Sequence, residues 1–496
     1  MFKSLASMSV FTAFGYVIGF GNQVVIASSF GTSADLDVYL FAFSLISFCW
    51  FFVGPIIEVS IPVLVRRFSL DQDKANDFFT SILNLIFVLS TISFIFIYLL
   101  SDVAVGMLSS DEPVYSEDLK SYILMLVTTV YLMALTMFLQ AVLNAVGVFI
   151  AQAASKFILA LVQLICLIIL IQHYAINAII ISLQISLGVL LVVQVYILYK
   201  KGIKYRFLKV LTFESELLKR IFILSTTFGL SSVQLIYERY VYLNTAEASL
   251  AAFNYSFTLL QIPQAVLISG LVAFMWTKLM AAINENRFKQ ALESLNSVVY
   301  HSLIYVSALS VFIFIYSEEI LYLLYYRGEF GVAAVTKTAH YLQYLIASLP
   351  FLAINVLLGR VFVALGRLRF MVLLNVLSFL VSVIALAMVS LTGYIEFTLF
   401  GGYIISQGFV LYFTYNRYKT ICLENRLTVS VSTFFTRKSI ISVAVLFALF
   451  LIEKRLAGSV FNISQFETAF RLVALFVLGL LLILLPHSRF ANLYRL

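Results

Sequence analysis

Apolar positions along the chain gather into runs of about 20 residues, the length at which an α-helix crosses roughly 30 Å of hydrocarbon. The runs lie near residues 5–29, 38–64, 79–100, 121–145, 156–172, 175–198 and 219–243, then 249–276, 297–316, 339–364, 370–391, 397–416, 439–452 and 468–485. In order they are helices 1 to 14, with helix 13 the weakest because its run is short. Barrel strands would instead alternate weakly over roughly ten residues. The pattern predicts an all-α polytopic membrane protein of about 14 transmembrane helices. Lys3 before the first run imitates a secretory signal, but the run's length and its interior Gly15, Gly19 and Gly21 read as a packed helix.

Composition agrees. Of 496 residues, 62% are apolar and 11% charged, whereas a soluble domain carries about 25% charge. At roughly 22 residues per span the helices consume most of the chain, so no sizeable soluble domain fits. The three cysteines, Cys49, Cys166 and Cys422, and the four histidines are dispersed, without zinc or disulfide spacing. No metal, cofactor or catalytic residue is expected.

The net charge of +8 reads as topology rather than as a nucleic-acid surface, because basic residues of membrane proteins concentrate on cytoplasmic loops. With the N-terminus inside, Arg66, Arg67 and Lys74, then Lys200, Lys201, Lys204 and Arg206, then Arg287 and Lys289, Arg367 and Arg369, Arg417 and Lys419 and Arg437 and Lys438 all fall on inner connections. Asp35 and Asp37, Asp102, Glu117 and Asp118, and Glu318, Glu319 and Glu329 fall on outer ones. Both termini are therefore expected in the cytoplasm.

The first two blocks of six helices repeat weakly. Thr12, Tyr16, Gly19 and Gln23 form a stripe on helix 1, and Thr227, Ser231, Gln234 and Glu238 repeat it on helix 7. Thr32-Ser33-Ala34-Asp35 after helix 1 is answered by Thr245-Ala246-Glu247 after helix 7, and Ala145-Val146-Gly147 after helix 4 by Ala364-Leu365-Gly366 after helix 10. The expected organisation is an N-terminal lobe, 1–205, a pseudo-symmetric C-terminal lobe, 206–420, and a C-terminal helix pair, 421–496. Six helices per half keep one orientation, the parallel-repeat arrangement of transporters that bind substrate between lobes.

Charges within the spans are few and costly at that depth. Glu58 follows Gly54-Pro55 on helix 2, and Glu238 and Arg239 are neighbours on helix 7. Neighbours point about 100° apart on a helix, so Arg239 and Glu238 face different partners, and Arg239 is a candidate to answer Glu58. Asn254, Thr258 and Gln261 make one face of helix 8 polar before Pro263. The candidate cavity residues are Asn22, Gln23, Arg239, Asn254, Thr258 and Gln261, with Glu58 and Glu238 for ion coupling or charge pairing.

Several segments resemble one family. Lys3-Ser4-Leu5, Gly19-Phe20, Phe30-Gly31 and Asp37 through Phe43, with Ile61-Pro62-Val63-Leu64, are similar to the start of the MurJ/MviN lipid II flippases. Phe253-Asn254-Tyr255, Leu260-Gln261-Ile262-Pro263 and Tyr326-Arg327-Gly328-Glu329-Phe330 resemble later segments of the same family. The resemblance covers about residues 1–420 and implies the multidrug/oligosaccharidyl-lipid/polysaccharide exporter superfamily: a transporter, not an enzyme, with helices 13 and 14 offering a groove to a lipid tail.

The resemblance also implies arginines in a central cavity on helices 1, 2 and 8, where this chain carries Tyr16 and Asn22, Trp50, and Thr258, with Gln23 in place of an acid and Asp37 retained. A diphosphate favours cationic donors. The expected substrate is accordingly another polyprenyl-diphosphate-linked saccharide, a surface-polysaccharide repeat unit, moved by alternating access; lipid II and, in a drug antiporter, organic cations are the alternatives. Coupling to sodium, protons or membrane potential is expected, with membrane lipids and glycan-synthesis enzymes as partners.

Overall fold

The computed structural model describes residues 2–107, 113–206, 215–245, 248–268, 272, 275–276, 279–280, 287–365, 367–394, 396, 398–425, 427, 437–457 and 465–484. Among the repeat marks, Ala246, Glu247 and Gly366 and the side chains of Thr12 and Trp50 lie outside the described residues. The described secondary structure is helical, and helices occupy all fourteen expected runs. Among the described residues, eight helices are long and apolar enough to cross a membrane, nine when the bent pair of helix 2 is counted. The chain divides into two compact units, Met1–Ala251 and Ala252–Leu496.

In the first unit, helix 1, Phe2–Phe30, runs along helix 5, Phe149–Tyr174, which packs on helix 6, Asn177–Lys200. A Cβ on Gly15 would stand 3.1 Å from the amide nitrogen of Phe157, so the missing side chain is what lets the two backbones touch. Helix 2 has two segments, Ala34–Ile46 and Trp50–Leu70, and Ser33 caps the first by accepting from the Leu36 amide at 3.4 Å. Its second segment packs on helix 3, Gln72–Met107, helix 4, Pro113–Ala145, and helix 7, Ser215–Thr245. Val53, Ile82, Phe138, Val142 and Leu198 form the buried centre of these contacts. After helix 4 the chain turns at Gly147, whose φ of +76° suits a residue without a Cβ.

Helix 8, Ser249–Pro263, has its first turn in the first unit and the rest, from Ala252, in the second, and continues into a π-helical turn, Gln264–Ile268. Pro263 cannot donate to the helical ladder, and the wider turn follows it directly. Helix 9, Phe288–Ile315, leads to a short helix, Ser317–Tyr325; helix 10 is Val332–Ala347 with Leu349–Ala364, and helix 11 is Leu368–Thr392. A π-helical turn, Thr398–Ile405, precedes helix 12, Ser406–Glu424, and the unit ends with helix 13, Arg437–Ala457, and helix 14, Gln465–Leu484. Leu292, Val299, Leu357 and Phe362 form one core, beside which the Tyr418 hydroxyl donates to Asn296 at 2.8 Å. Tyr255, Tyr325 and Phe330 meet ring to ring in another.

Two helices differ usefully from their hydropathy runs. Helix 5 starts at Phe149, so Lys156 lies about two turns inside it rather than at its end. Helix 13 spans 21 residues instead of a short run, because Glu453 and Lys454 continue it as paired side chains.

Candidate functional site

On helix 1, Asn22 is 4% exposed and its Nδ2 donates to the Ala160 carbonyl at 3.2 Å, so this amide joins helix 1 to helix 5. Gln23 is half-buried, and Tyr16 remains 47% exposed. The Lys156 ammonium comes over from helix 5, donates to the Tyr16 hydroxyl at 3.2 Å and lies 4.8 Å from the centre of the ring.

Glu58 is exposed on helix 2 and borders a cavity of about 440 Å³. Gly54 and Ile61 from helix 2, Gln140 and Asn144 from helix 4 and Phe228 from helix 7 share its wall. The Asn144 Oδ1 is buried without a hydrogen-bond donor. Pro62 has no N–H to offer the Glu58 carbonyl one turn earlier, which leaves another oxygen free of the helical ladder. Glu58, Gln140 and Asn144 are the polar side chains of an otherwise apolar lining. Arg239 does not pair with Glu58. It is half-buried on helix 7, within electrostatic reach of the buried Tyr39, and Glu238 beside it is 7% exposed.

Asp37 is buried, and its carboxylate accepts from the backbone amides of Leu250 at 3.3 Å and Ala251 at 2.6 Å. These are first-turn amides of helix 8, where a helix leaves its donors unsatisfied and its dipole is positive.

In the second unit, Asn254 and Thr258 are half-buried and Gln261 is exposed. The Thr258 hydroxyl donates to the Asn254 carbonyl at 2.9 Å, one turn back on its own helix. The opposite face of helix 8 is fixed by Ser256, which donates to the Thr338 carbonyl at 2.8 Å. Beside helix 8 opens an apolar cavity of about 520 Å³, bounded by Leu259 and Ile262 of helix 8, Leu309 and Phe312 of helix 9, Phe450 of helix 13 and Phe476 of helix 14.

Beside the Phe312 and Phe450 walls of this cavity lies an ionic clasp that the hydropathy pattern hides. Arg471 of helix 14 grips Glu453 of helix 13 through Nε at 2.6 Å and Nη2 at 3.0 Å, and the Tyr316 hydroxyl donates to the same carboxylate at 2.6 Å. Lys454 donates to the Ile315 carbonyl at 2.7 Å and pairs with Glu319 at 3.4 Å. The available signal was Lys454, Arg455 and Arg471 around a connection where the charge bias expects acids. Burial raises the pKa of Glu319 above the ordinary carboxylate range, against the lowering influence of Lys454.

The family model for MurJ, described as lipid II flippase MurJ, matches residues 26–401. The chain is 24% identical over 374 residues, 72% of each chain, to the probable lipid II flippase MurJ of Buchnera aphidicola subsp. Baizongia pistaciae (strain Bp). A solved structure of lipid II flippase MurJ in an inward closed conformation superposes with a TM-score of 0.79 at 16% identity, over 97% of this chain and 98% of the other. An inward-facing MATE family multidrug resistance transporter of the MOP superfamily gives a TM-score of 0.65 at 15% identity, over 82% and 94%. At these identities the structural likenesses establish the fold.

These matches overturn the expectation of a surface-polysaccharide flippase. That expectation weighed the missing arginines on helices 1, 2 and 8, which left Arg239 as the main cavity cation, above the resemblance along the chain. The structure brings the Lys156 ammonium to Tyr16 from a neighbouring helix. The protein is a multi-pass membrane transporter, not an enzyme, and the chain belongs to the MurJ family of lipid II flippases.

Proposed function

We propose that this chain moves lipid II, the polyprenyl-diphosphate-linked precursor of peptidoglycan, from the cytoplasmic to the outer face of the bacterial inner membrane by alternating access. The match to the MurJ model across residues 26–401 carries this reading. The apolar cavity beside helices 8, 9, 13 and 14 supports it, because an isoprenoid tail needs a water-free path beside a polar headgroup. Charge bias in the connections supports a topology with both termini in the cytoplasm.

Gln23, Arg239, Asn254, Thr258 and Gln261 are the proposed headgroup contacts, while Asn22 holds helix 5. Glu58, with Gln140 and Asn144 around it, is the proposed place for coupling to protons or sodium; a membrane potential supplies about 2.3 kcal/mol per charge per 100 mV in addition. Loss of ion dependence in Glu58→Gln, with residual transport, is the expected sign of that role. The enzymes that build lipid II are the implied partners.

The test is replacement in bacteria depleted of their own lipid II flippase. The proposal expects restored growth and no lipid II accumulation on the cytoplasmic side. Accumulation that persists with the protein correctly inserted would overturn it.

A further inference from the structure

We propose that Glu319 is a proton-binding site, and that the proton it takes tightens the seat of the short helix Ser317–Tyr325 on helices 13 and 14. The charges around it do not balance. Among the described residues Glu318, Glu319 and Glu453 meet Lys454 and Arg471, three carboxylates against two cations. Glu453 takes the larger share: Arg471 holds it through two nitrogens at 2.6 and 3.0 Å, and the Tyr316 hydroxyl donates to it at 2.6 Å. The remaining Arg471 nitrogen, Nη1, is buried without an acceptor, so Arg471 reaches Glu319 through its field alone.

Lys454 is left to two acids. Its shortest bond goes to the Ile315 carbonyl at 2.7 Å, while Glu319 stands at 3.4 Å and Glu318 at 3.7 Å. Glu318 is half-buried and keeps water as a partner. Glu319 is 1% exposed and has only the long contact to Lys454 and its own backbone amide. Elsewhere on the packed elements, helix 13 carries exposed Arg455, helix 14 exposed Glu467 and the short helix Tyr322, while helix 10 presents the neutral Gln343, which donates to the Ser317 hydroxyl at 3.1 Å. A buried carboxylate so thinly paired costs less neutral than charged, and burial raises its pKa against the lowering influence of Lys454. One proton from water, forming an O–H bond on Glu319, removes the surplus charge. The charge bias puts this connection outside, so the proton comes from that side.

The packed state holds this proton more tightly than an exposed carboxylate does. The seat of the short helix is therefore firmest at acid pH and weakens as the pH rises through the raised pKa of Glu319. Ile320 and Leu324 of the same helix line the apolar cavity with Phe450 and Phe476, so protons outside act on one wall of that cavity. The site stands apart from the lipid II reading, which replacement in depleted cells judges separately.

Infrared difference spectra of the full chain in detergent, titrated from acid to alkaline pH, read the carbonyl stretch of a protonated carboxyl. Wild type is expected to keep such a band above the ordinary carboxylate range; Glu319→Gln should lack it and Glu318→Gln should retain it. Lys454→Gln, which removes the ammonium and leaves Glu319 in place, should raise the proton affinity about tenfold and move the band to higher pH. The thermal midpoint of wild type should approach that of Glu319→Gln at acid pH and fall below it as the pH rises. A band unchanged in Glu319→Gln, or none in wild type, overturns the assignment, as does a gap in thermal midpoint that is the same at every pH. Should Glu319→Gln fail to fold, Lys454→Gln decides: a band that moves to higher pH supports the site, and one that stays in place overturns it.

Discussion

The carboxylate of Asp37 lies 2.6 Å from the amide nitrogen of Ala251, joining residues 214 positions apart in the chain. Asp37 sits in the first turn of helix 2 and is 2% exposed, so its charge is stabilised by the amides and dipole of helix 8 rather than by water. Asp37→Ala leaves the Leu250 and Ala251 amides without this acceptor and should destabilise the protein by about 1–3 kcal/mol. Asp37→Asn, which retains an acceptor oxygen, should cost less. Thermal unfolding in detergent checks the order; equal stability of Asp37→Ala and wild type would remove the carboxylate from the anchoring of helix 8.

Helices 2 and 7 exchange glycine and phenylalanine reciprocally. A Cβ on Gly54 would stand 2.6 Å from the Phe228 ring, and one on Gly229 would stand 2.6 Å from the Phe51 ring. Gly54→Ala and Gly229→Ala should each destabilise by about 1–3 kcal/mol through overpacking. Pairing Gly229→Ala with Phe51→Leu should recover part of the loss. Thermal midpoints of the single and double variants measure the coupling, and strict additivity would show that the ring and the added methyl do not meet.

The clasp of Glu453 and Arg471 holds helix 14 to helix 13 beside the apolar cavity. Arg471→Ala should be more damaging than the double variant with Glu453→Gln, because the single change leaves a partly buried carboxylate facing the Tyr316 hydroxyl alone. A double-mutant cycle on unfolding should give a coupling of about 1–3 kcal/mol. No coupling would mean that the pair does not hold these helices together.

Leu309 tests the cavity itself. Leu309→Glu places a carboxylate among Phe312, Phe450 and Phe476 and should reduce flipping more than tenfold, roughly 1.4 kcal/mol or more, in protein that still inserts and extracts normally. Leu309→Met should be tolerated. Wild-type flipping by Leu309→Glu would take the cavity out of the lipid path.

Helix number and class were legible because about 20 apolar residues in a row have one stable solution in a bilayer. What hydropathy cannot show is which neighbour a polar side chain meets. Asn22 read as part of a cavity, and its amide nitrogen donates to the Ala160 carbonyl, a contact that hydropathy does not show. Lys156 stands at the edge of its apolar run; the helix begins at Phe149, and the side chain reaches Tyr16. Glu453 fell just beyond a run cut short by charge and Arg471 inside the last run, and their mutual neutralisation is a tertiary property that neither run shows. The substrate was misread because departures at a few cavity positions were weighed above the resemblance along the chain, which the family match over residues 26–401 bears out.

Reconstitution into liposomes carrying lipid II on the inner leaflet addresses the central claim most directly, read by the fraction that becomes accessible to a membrane-impermeant enzyme outside. The wild-type chain should expose lipid II well above protein-free vesicles, and Leu309→Glu should not. Accessibility equal to that of empty vesicles, with the chain folded and inserted, would contradict lipid II translocation by this protein.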